Sequence, residues 1–291
     1  MRALDRASWH MDQPISHPNS LGIWLLAERA RELVTVLLSG EGADEVFGGY
    51  TRFYYAHLRP KFAGAARKLS WLPSVGERLS RHFDGDAIDT FVRTTQFQPN
   101  AILNRLRPGA DLNPALARRR RIFEEGSADH LSNCLKYEMQ TYLVDLLVRQ
   151  DKMTMAHGLE NRVPFLDRRV VEFARTLPAE HLVGSTLPIG DAGMRSTKIV
   201  VKDLARRTFD DDFVYRWKSG FALPLGQYFR SKPFTELMED RLLPGMKGRG
   251  LVDVDVVRKF WRRSLSAPAI TEAFWIPVAL ELWAQQFIDR T

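Results

Sequence analysis

The sequence predicts an α/β chain that is mostly helical, with one parallel strand near its start. Three observations carry this expectation. Residues 34–38 form an unbroken apolar run that stops at Ser39-Gly40, and a continuous rather than alternating run suits a strand covered on both faces. Most of the chain beyond residue 50 places apolar residues at helical spacing, punctuated by prolines. The run also leads straight into a turn rich in glycine and carboxylates, and open α/β sheets bind ligands beyond the carboxyl ends of their strands.

Taken in order, residues 19–33 start at a cap-type Asn19 or Ser20 and place Ile23, Leu26, Ala27 and Ala30 on one helical face. Residues 51–135 read as helical pieces broken at Pro60, Pro73, Pro99, Pro108 and Pro114. From 133 to 157 one long helix carries Leu135, Met139, Leu143, Leu146 and Leu147 on its apolar side. Pro164 and Pro178 punctuate the next stretch, with an amphipathic helix over 166–177. The tail, 251–289, is again helical, and its Trp261, Trp275 and Trp283 read as core. A single parallel strand cannot satisfy its own backbone groups. The other strands of its sheet are therefore expected from outside this polypeptide.

The 291 residues are 45% hydrophobic and 26% charged, which excludes a disordered chain and permits one domain over 1–291. Cys134 is the single cysteine, so no intrachain disulfide forms and a reducing, cytoplasmic setting is expected. No apolar run approaches the ~20 residues of a membrane span, and the first residues lack the apolar core of a signal peptide. No membrane is expected as a partner. The net charge of +7 draws on a run at Arg118, Arg119, Arg120 and Arg121, with Arg105 and Arg107 upstream. Such a run is either a solvated helix face or a seat for an anionic partner. Zinc-finger spacing, an RNP-type aromatic string and heptads are all missing, so nucleic acid is not expected.

Residues 39–50 read Ser-Gly-Glu-Gly-Ala-Asp-Glu-Val-Phe-Gly-Gly-Tyr. Gly40 and Gly42 would let the backbone approach a ligand or adopt positive φ. The string is not a Walker loop, and Glu45 stands where GxGxxG needs its third glycine. Glu41, Asp44 and Glu45 repel one another unless something cationic sits among them, and magnesium on a polyphosphate is one candidate. The alternative is a helix start whose acidic residues suit the dipole. Residues 149–167 alternate in sign at Arg149, Asp151, Lys152, Glu160, Arg162 and Asp167 beside methionine and phenylalanine, a partly buried charge network in either a core or a site. A third segment carries Lys198 and Lys202, then Arg216-Trp217-Lys218-Ser219-Gly220-Phe221. Its cations either cradle phosphates or sit exposed on a helix.

Taken jointly and in this order, the turn at 39–50, the block at 151–167, the pair Lys198/Lys202 and the block at 216–221 resemble the synthetase domain of glutamine-dependent asparagine synthetases. The resemblance spans roughly residues 12–230. It implies an α/β fold of the adenine nucleotide α-hydrolase type, incomplete here, that uses ATP and Mg²⁺ to adenylate an aspartate-type carboxylate before ammonia displaces AMP. It further implies that Ser39 and Gly40 contact the adenylate, that Glu41 stands where ammonia attacks, and that Asp44 helps hold magnesium-pyrophosphate. Lys198 matches the lysine that neutralises developing phosphate charge, and Arg149 falls near the family's acceptor-site arginine.

The family's chain opens with a cysteine directly after the initiator methionine, where this sequence has Arg2, and carries a Ser-Gly-Gly-x-Asp-Ser pyrophosphate loop that this one lacks. The sequence therefore reads as the C-terminal part of such an enzyme, inactive alone, with ammonia arriving from a glutaminase domain or partner elsewhere and a homodimer left open. Where the family often has an acidic residue, Gln13 and His17 stand, which leaves a different acceptor carboxylate open. A non-catalytic binding module is the alternative from another class. An ATP-pyrophosphatase acting on RNA is a weaker one.

Overall fold

The computed structural model describes residues 2–68, 82–83, 85–96, 98–125, 129–185, 195–216, 223–265 and 268–289. Helix α1 (Arg2–Met11) and α2 (Ser20–Ala30) precede β1 (Val36–Leu38) and the short α3 (Ala43–Val46). Then come α4 (Thr51–Lys68), α5 (Ala87–Thr94), α6 (Asn100–Leu106), α7 (Asn113–Glu124), α8 (His130–Gln140) and α9 (Tyr142–Met155). Strand β2 (Glu160–Arg162) leads through a 3₁₀ turn, Pro164–Leu166, into α10 (Arg168–Ala174). A second 3₁₀ turn, Ala179–His181, precedes α11 (Ile199–Ala205) and α12 (Asp211–Val214). The remainder is α13 (Leu225–Arg230), α14 (Lys232–Leu237), α15 (Leu243–Arg249), α16 (Val254–Ser264) and α17 (Pro268–Phe287). A wide π turn, Met238–Leu242, joins α14 to α15.

The expected strand is present but shorter, at 36–38 rather than 34–38, and it is parallel. Its neighbour comes from this chain. Val36, Leu37 and Leu38 stand opposite Glu160, Asn161 and Arg162, and the Glu160 N–H donates to the Thr35 carbonyl at 3.0 Å. The expectation of burial on both faces fails among the described residues: Leu33, Val34, Val36 and Leu38 are exposed, Leu38 by 72%. A two-stranded ribbon of three residues has too little width to bring helices over both faces.

The helices organise two cores. One gathers Met11, Trp24, Met153, Phe229, Phe274 and Trp275, from α1, α2, α9, α13 and α17. The other gathers Phe53, Tyr54, Phe91, Phe123, Cys134 and Tyr137, from α4, α5, α7 and α8. The helix expected over 133–157 is two, because Thr141 leaves helical backbone at φ −123°, ψ −81°. Its hydroxyl donates to the Tyr137 carbonyl at 2.7 Å. The break hands the chain from the second core to the first. Pro60 lies inside α4 rather than ending it; Pro99 precedes α6 and Pro114 sits in the first turn of α7. Pro73 lies outside the described residues. The helix expected over 166–177 is the 3₁₀ turn plus α10, started by the Asp167 carboxylate accepting from the Arg169 N–H at 2.9 Å. Trp275 is fully buried, Trp261 packs against the core, and Trp283 donates to the Asp12 carbonyl at 3.0 Å. Leu26 is exposed although Ile23 and Ala27 are buried.

A buried ion pair ties α4 to α8. Arg52 donates twice to the fully buried Glu138, at 2.9 and 2.7 Å, and its guanidinium lies 3.9 Å from the centre of the Tyr50 ring. Burial alone would lower the Arg52 pKa, but Glu138 outweighs it and raises the value. Arg52→Ala leaves a buried carboxylate unpartnered and is expected to cost about 3–5 kcal/mol, while Arg52→Met with Glu138→Leu recovers most of that loss. Urea denaturation checks this; a double variant as unstable as the single one would show that the pairing is not what matters.

Candidate active site

Just past the carboxyl end of β1, the Ser39 N–H still pairs with the Arg162 carbonyl at 2.9 Å, and Asn161 donates to the Ser39 hydroxyl at 3.3 Å. Gly40 is exposed with open space where a Cβ would be, so a ligand can approach the backbone there. Gly42 takes φ +86°, and a Cβ on it would lie 2.3 Å from the Leu166 side chain. The turn thus folds tightly against the 3₁₀ turn after β2.

The three carboxylates of the turn each take a separate partner, which resolves their repulsion. Glu41 Oε1 lies 3.5 Å from Arg149 Nη2. Asp44 Oδ1 lies 2.9 Å from Lys198 Nζ. Glu45 is buried and accepts from the Tyr50 hydroxyl at 2.5 Å; burial lifts its pKa despite that bond. Burial and the Glu45 charge push the Tyr50 phenol up strongly. Glu45, Tyr50, Arg52 and Glu138 therefore connect the turn to the second core.

Arg149 is 6% exposed, on α9. Its Nη1 donates to Asn19 Oδ1 at 3.2 Å, and its Nε has no hydrogen-bond partner among the described residues. Asn19 makes no side-chain cap for α2; its amide serves the arginine instead. Lys198 holds φ +50°, ψ +44°, left-handed backbone that a lysine seldom adopts. Such strain persists where neighbours over-determine it. Here the Ile199 N–H donates to the Leu182 carbonyl at 3.3 Å and the Gly184 N–H to the Ser196 carbonyl at 2.9 Å, fixing both sides of Lys198.

The structure therefore brings Glu41 to Arg149 and Asp44 to Lys198. Lys202 is not drawn in: its Nζ donates to the Arg195 carbonyl at 3.4 Å. Arg216 lies over the Phe213 ring, and Trp217 to Phe221 lie outside the described residues. The charge network expected over 149–167 is not one network. Lys152 pairs with Asp12, Arg162 with Glu160 and Asp167 with Arg169, all outside the core, leaving Arg149 as its buried member. Cys134 is buried, which raises its thiol pKa well above the ordinary range. The part that Tyr50, Arg52, Glu138 and Asn19 play around the turn escaped the sequence reading, which took Asn19 as a helix cap and quoted Tyr50 only as the end of the glycine-rich string. Beside them, Asp145 accepts from Ser16 at 2.8 Å and lies 3.4 Å from His17 Nε2. Burial would raise the Asp145 pKa, but these bonds outweigh it and lower the value.

A helix-rich α/β chain with two carboxylate–cation pairs at the end of a parallel strand is the class that this geometry defines. The family model described as asparagine synthase matches residues 1–285, and the chain belongs to that family. Asparagine synthetase [glutamine-hydrolyzing] 1 of Bacillus subtilis is 28% identical over 247 residues, covering 80% of this chain and 37% of its own. A Mycobacterium bovis relative is 27% identical over 317 residues, covering 99% of this chain and 45% of its own. The chain thus spans less than half the length of these relatives.

The packing of the site can be tested at two of its glycines. A Cβ at Gly49 would lie 1.8 Å from Asp44 Oδ1, so Gly49→Ala is expected to cost about 1–3 kcal/mol, whereas Gly40→Ala stays within about 0.5 kcal/mol. Equal urea midpoints for the two would refute this. Because the folded-state pKa of Asp145 lies below its unfolded value, its contribution to stability is fully present above the ordinary aspartate range, near 4, and is lost as pH falls through the folded value. Asp145→Asn is expected to flatten the acid limb of a stability–pH curve below about pH 4; an unchanged limb would contradict the assignment.

Proposed function

We propose that this chain is the larger part of the catalytic domain of an ATP-dependent amidoligase, with the α/β fold of the adenine nucleotide α-hydrolase type. In this reading an aspartate-type side-chain carboxylate attacks the α-phosphorus of ATP, pyrophosphate leaves, and ammonia then displaces AMP to give the amide, as in asparagine formation. The observation that carries it is the sorting of the turn's carboxylates, Glu41 onto Arg149 and Asp44 onto Lys198, beside the open backbone at Ser39 and Gly40.

Among the described residues, no group of three or more His, Cys, Asp or Glu could hold a metal ion. That fits Mg²⁺ arriving with ATP, since magnesium keeps water and phosphate oxygens and needs only one or two carboxylates from protein. Bound Mg²⁺ would offset negative charge on the departing pyrophosphate. Asp44 would supply a carboxylate oxygen, and Lys198 would stabilise the phosphates as charge develops. Ser39 and Gly40 contact the adenylate. Glu41, oriented by Arg149, accepts a proton from the ammonium formed on attack, and Arg149 also faces the acceptor. The exposed apolar residues of β1 support further strands beside the two described. Ammonia comes from a glutaminase domain or partner protein, in the reducing cytoplasm. No helix among the described residues is long and apolar enough to cross a membrane.

Calorimetric titration with Mg-ATP, on the chain together with the polypeptide that completes its sheet, tests the nucleotide site: Lys198→Met is expected to weaken binding at least tenfold, and no binding by the unaltered assembly would refute the reading. For chemistry, the chain is assayed with the polypeptide that completes its sheet and with ammonia supplied directly. Glu41→Gln is expected to lower amide formation by ~10²–10⁴-fold while acceptor-dependent pyrophosphate release persists, and Asp44→Asn to alter the magnesium dependence instead. Amide formation within about threefold of the unaltered protein would remove Glu41 from this role.

A further inference from the structure

A cleft of ≈ 1020 Å³ opens where the two cores meet, walled by the approach to α2, the end of α5, and by α7, α9 and α17. Asn19 lines it, and Asn19 accepts the hydrogen bond from Arg149, whose other terminal nitrogen contacts Glu41. The inner end of the cleft is therefore one side chain away from the candidate reaction site. Its volume is just above the roughly 300–1,000 Å³ of typical small-molecule pockets, far beyond what free aspartate fills.

Most charges on the wall are already satisfied. Arg52 is held by Glu138, and Asp145 by Ser16 and His17. Arg118 and Arg119 line the cleft from α7; neither makes a close ion pair among the described residues, although Arg119 is near enough to the buried Glu138, already paired with Arg52, to favour its charged form. Their neighbour in the run, Arg120, pairs with Asp86, Asp89 and Glu124. The arginine run is thus divided: one member is tied down, and two face a cleft that leads to the reaction site. Glu272, on α17, adds one acceptor to the same wall, which suits a ligand that also carries N–H groups. Two guanidiniums at one end of a cleft bind a carboxylate or phosphate with directed, charge-assisted hydrogen bonds.

Resting on the amidoligase reading, we infer that the acceptor is not free aspartate but an aspartyl group within a longer, peptide-like molecule whose distal anion is read by Arg118 and Arg119. The reacting carboxylate sits at the Asn19–Arg149 end. The remainder of the acceptor lies along the cleft, and its distal carboxylate or phosphate meets α7.

Calorimetric titrations of this chain together with the polypeptide that completes its sheet, with Mg-ATP present, compare free aspartate with the probes Asp-Glu, Asp-phosphoserine and the uncharged-tail control Asp-Gln-NH₂. At least one acidic-tailed probe is expected to bind tenfold or more tighter than both aspartate and Asp-Gln-NH₂, and which of the two leads tells whether the distal anion is carboxylate or phosphate. Arg118→Ala with Arg119→Ala should reduce that preference to within threefold, with the circular dichroism spectrum and melting temperature confirming the fold. Arg121→Ala, in the same run but off the cleft wall, should keep it. Aspartate binding with no preference for an acidic tail would overturn this inference and leave the amidoligase reading standing. Failure to bind Mg-ATP and every aspartyl probe would overturn both. A preference that survives the double substitution would remove Arg118 and Arg119 from the recognition.

Discussion

A guanidinium buried to the extent of Arg149 must be met by anionic and polar oxygen at once, or the fold would not tolerate it. Meeting that demand joins three pieces of chain. Asn19 comes from the entry to α2, Glu41 from the turn after β1, and Arg149 itself from α9. One side chain thus ties α9 both to the entry of α2 and to the turn, beside the apolar packing of Trp24 and Met153 that the two helices share. Its partners are 130 and 108 residues away in sequence, so local propensity contributes nothing to the arrangement.

A second buried polar path supports the first from behind. Glu45, the third carboxylate of the turn, points into the protein, where Tyr50 and then Arg52 and Glu138 connect it to α8. A chain of this kind is stable only when each member is satisfied. The turn is therefore anchored on its inner side, while Glu41 and Asp44 are left partly open and matched to cations. Two carboxylates stay partly exposed and paired with cations while the third is fully engaged in structure.

Much of this was legible in the sequence and some of it could not be. The apolar run before Ser39 announced a parallel strand, and the glycines announced a tight turn at its end, where Gly42 takes positive φ. The partner strand did not announce itself: Glu-Asn-Arg at 160–162 has none of the β-branched or aromatic character that marks strands, and it is extended because β1 is there to pair with. The break at Thr141 was equally silent, since apolar spacing runs through it and the interruption is set by which core each half must reach. Lys198 and Lys202, four residues apart, differ in the sequence only through the family resemblance that singles out Lys198; in the structure Lys198 reaches the turn and Lys202 does not. The backbone conformation that separates them depends on Leu182 and Gly184, through contacts that no local pattern encodes.

That conformation has a consequence for how the position can vary. At left-handed φ, glycine is at ease and a side chain with a Cβ is disfavoured by roughly 1–2 kcal/mol. A site under selection for folding alone would drift toward glycine or asparagine there. With lysine at residue 198 the strained backbone carries an amine that lies 2.9 Å from Asp44 Oδ1, a contact that glycine could not make. The next helix, α11, begins from a residue whose own geometry does not favour helix formation. Its start is held by hydrogen bonds to the 182–184 segment, so a lesion in that segment would release a cation some distance away without touching it.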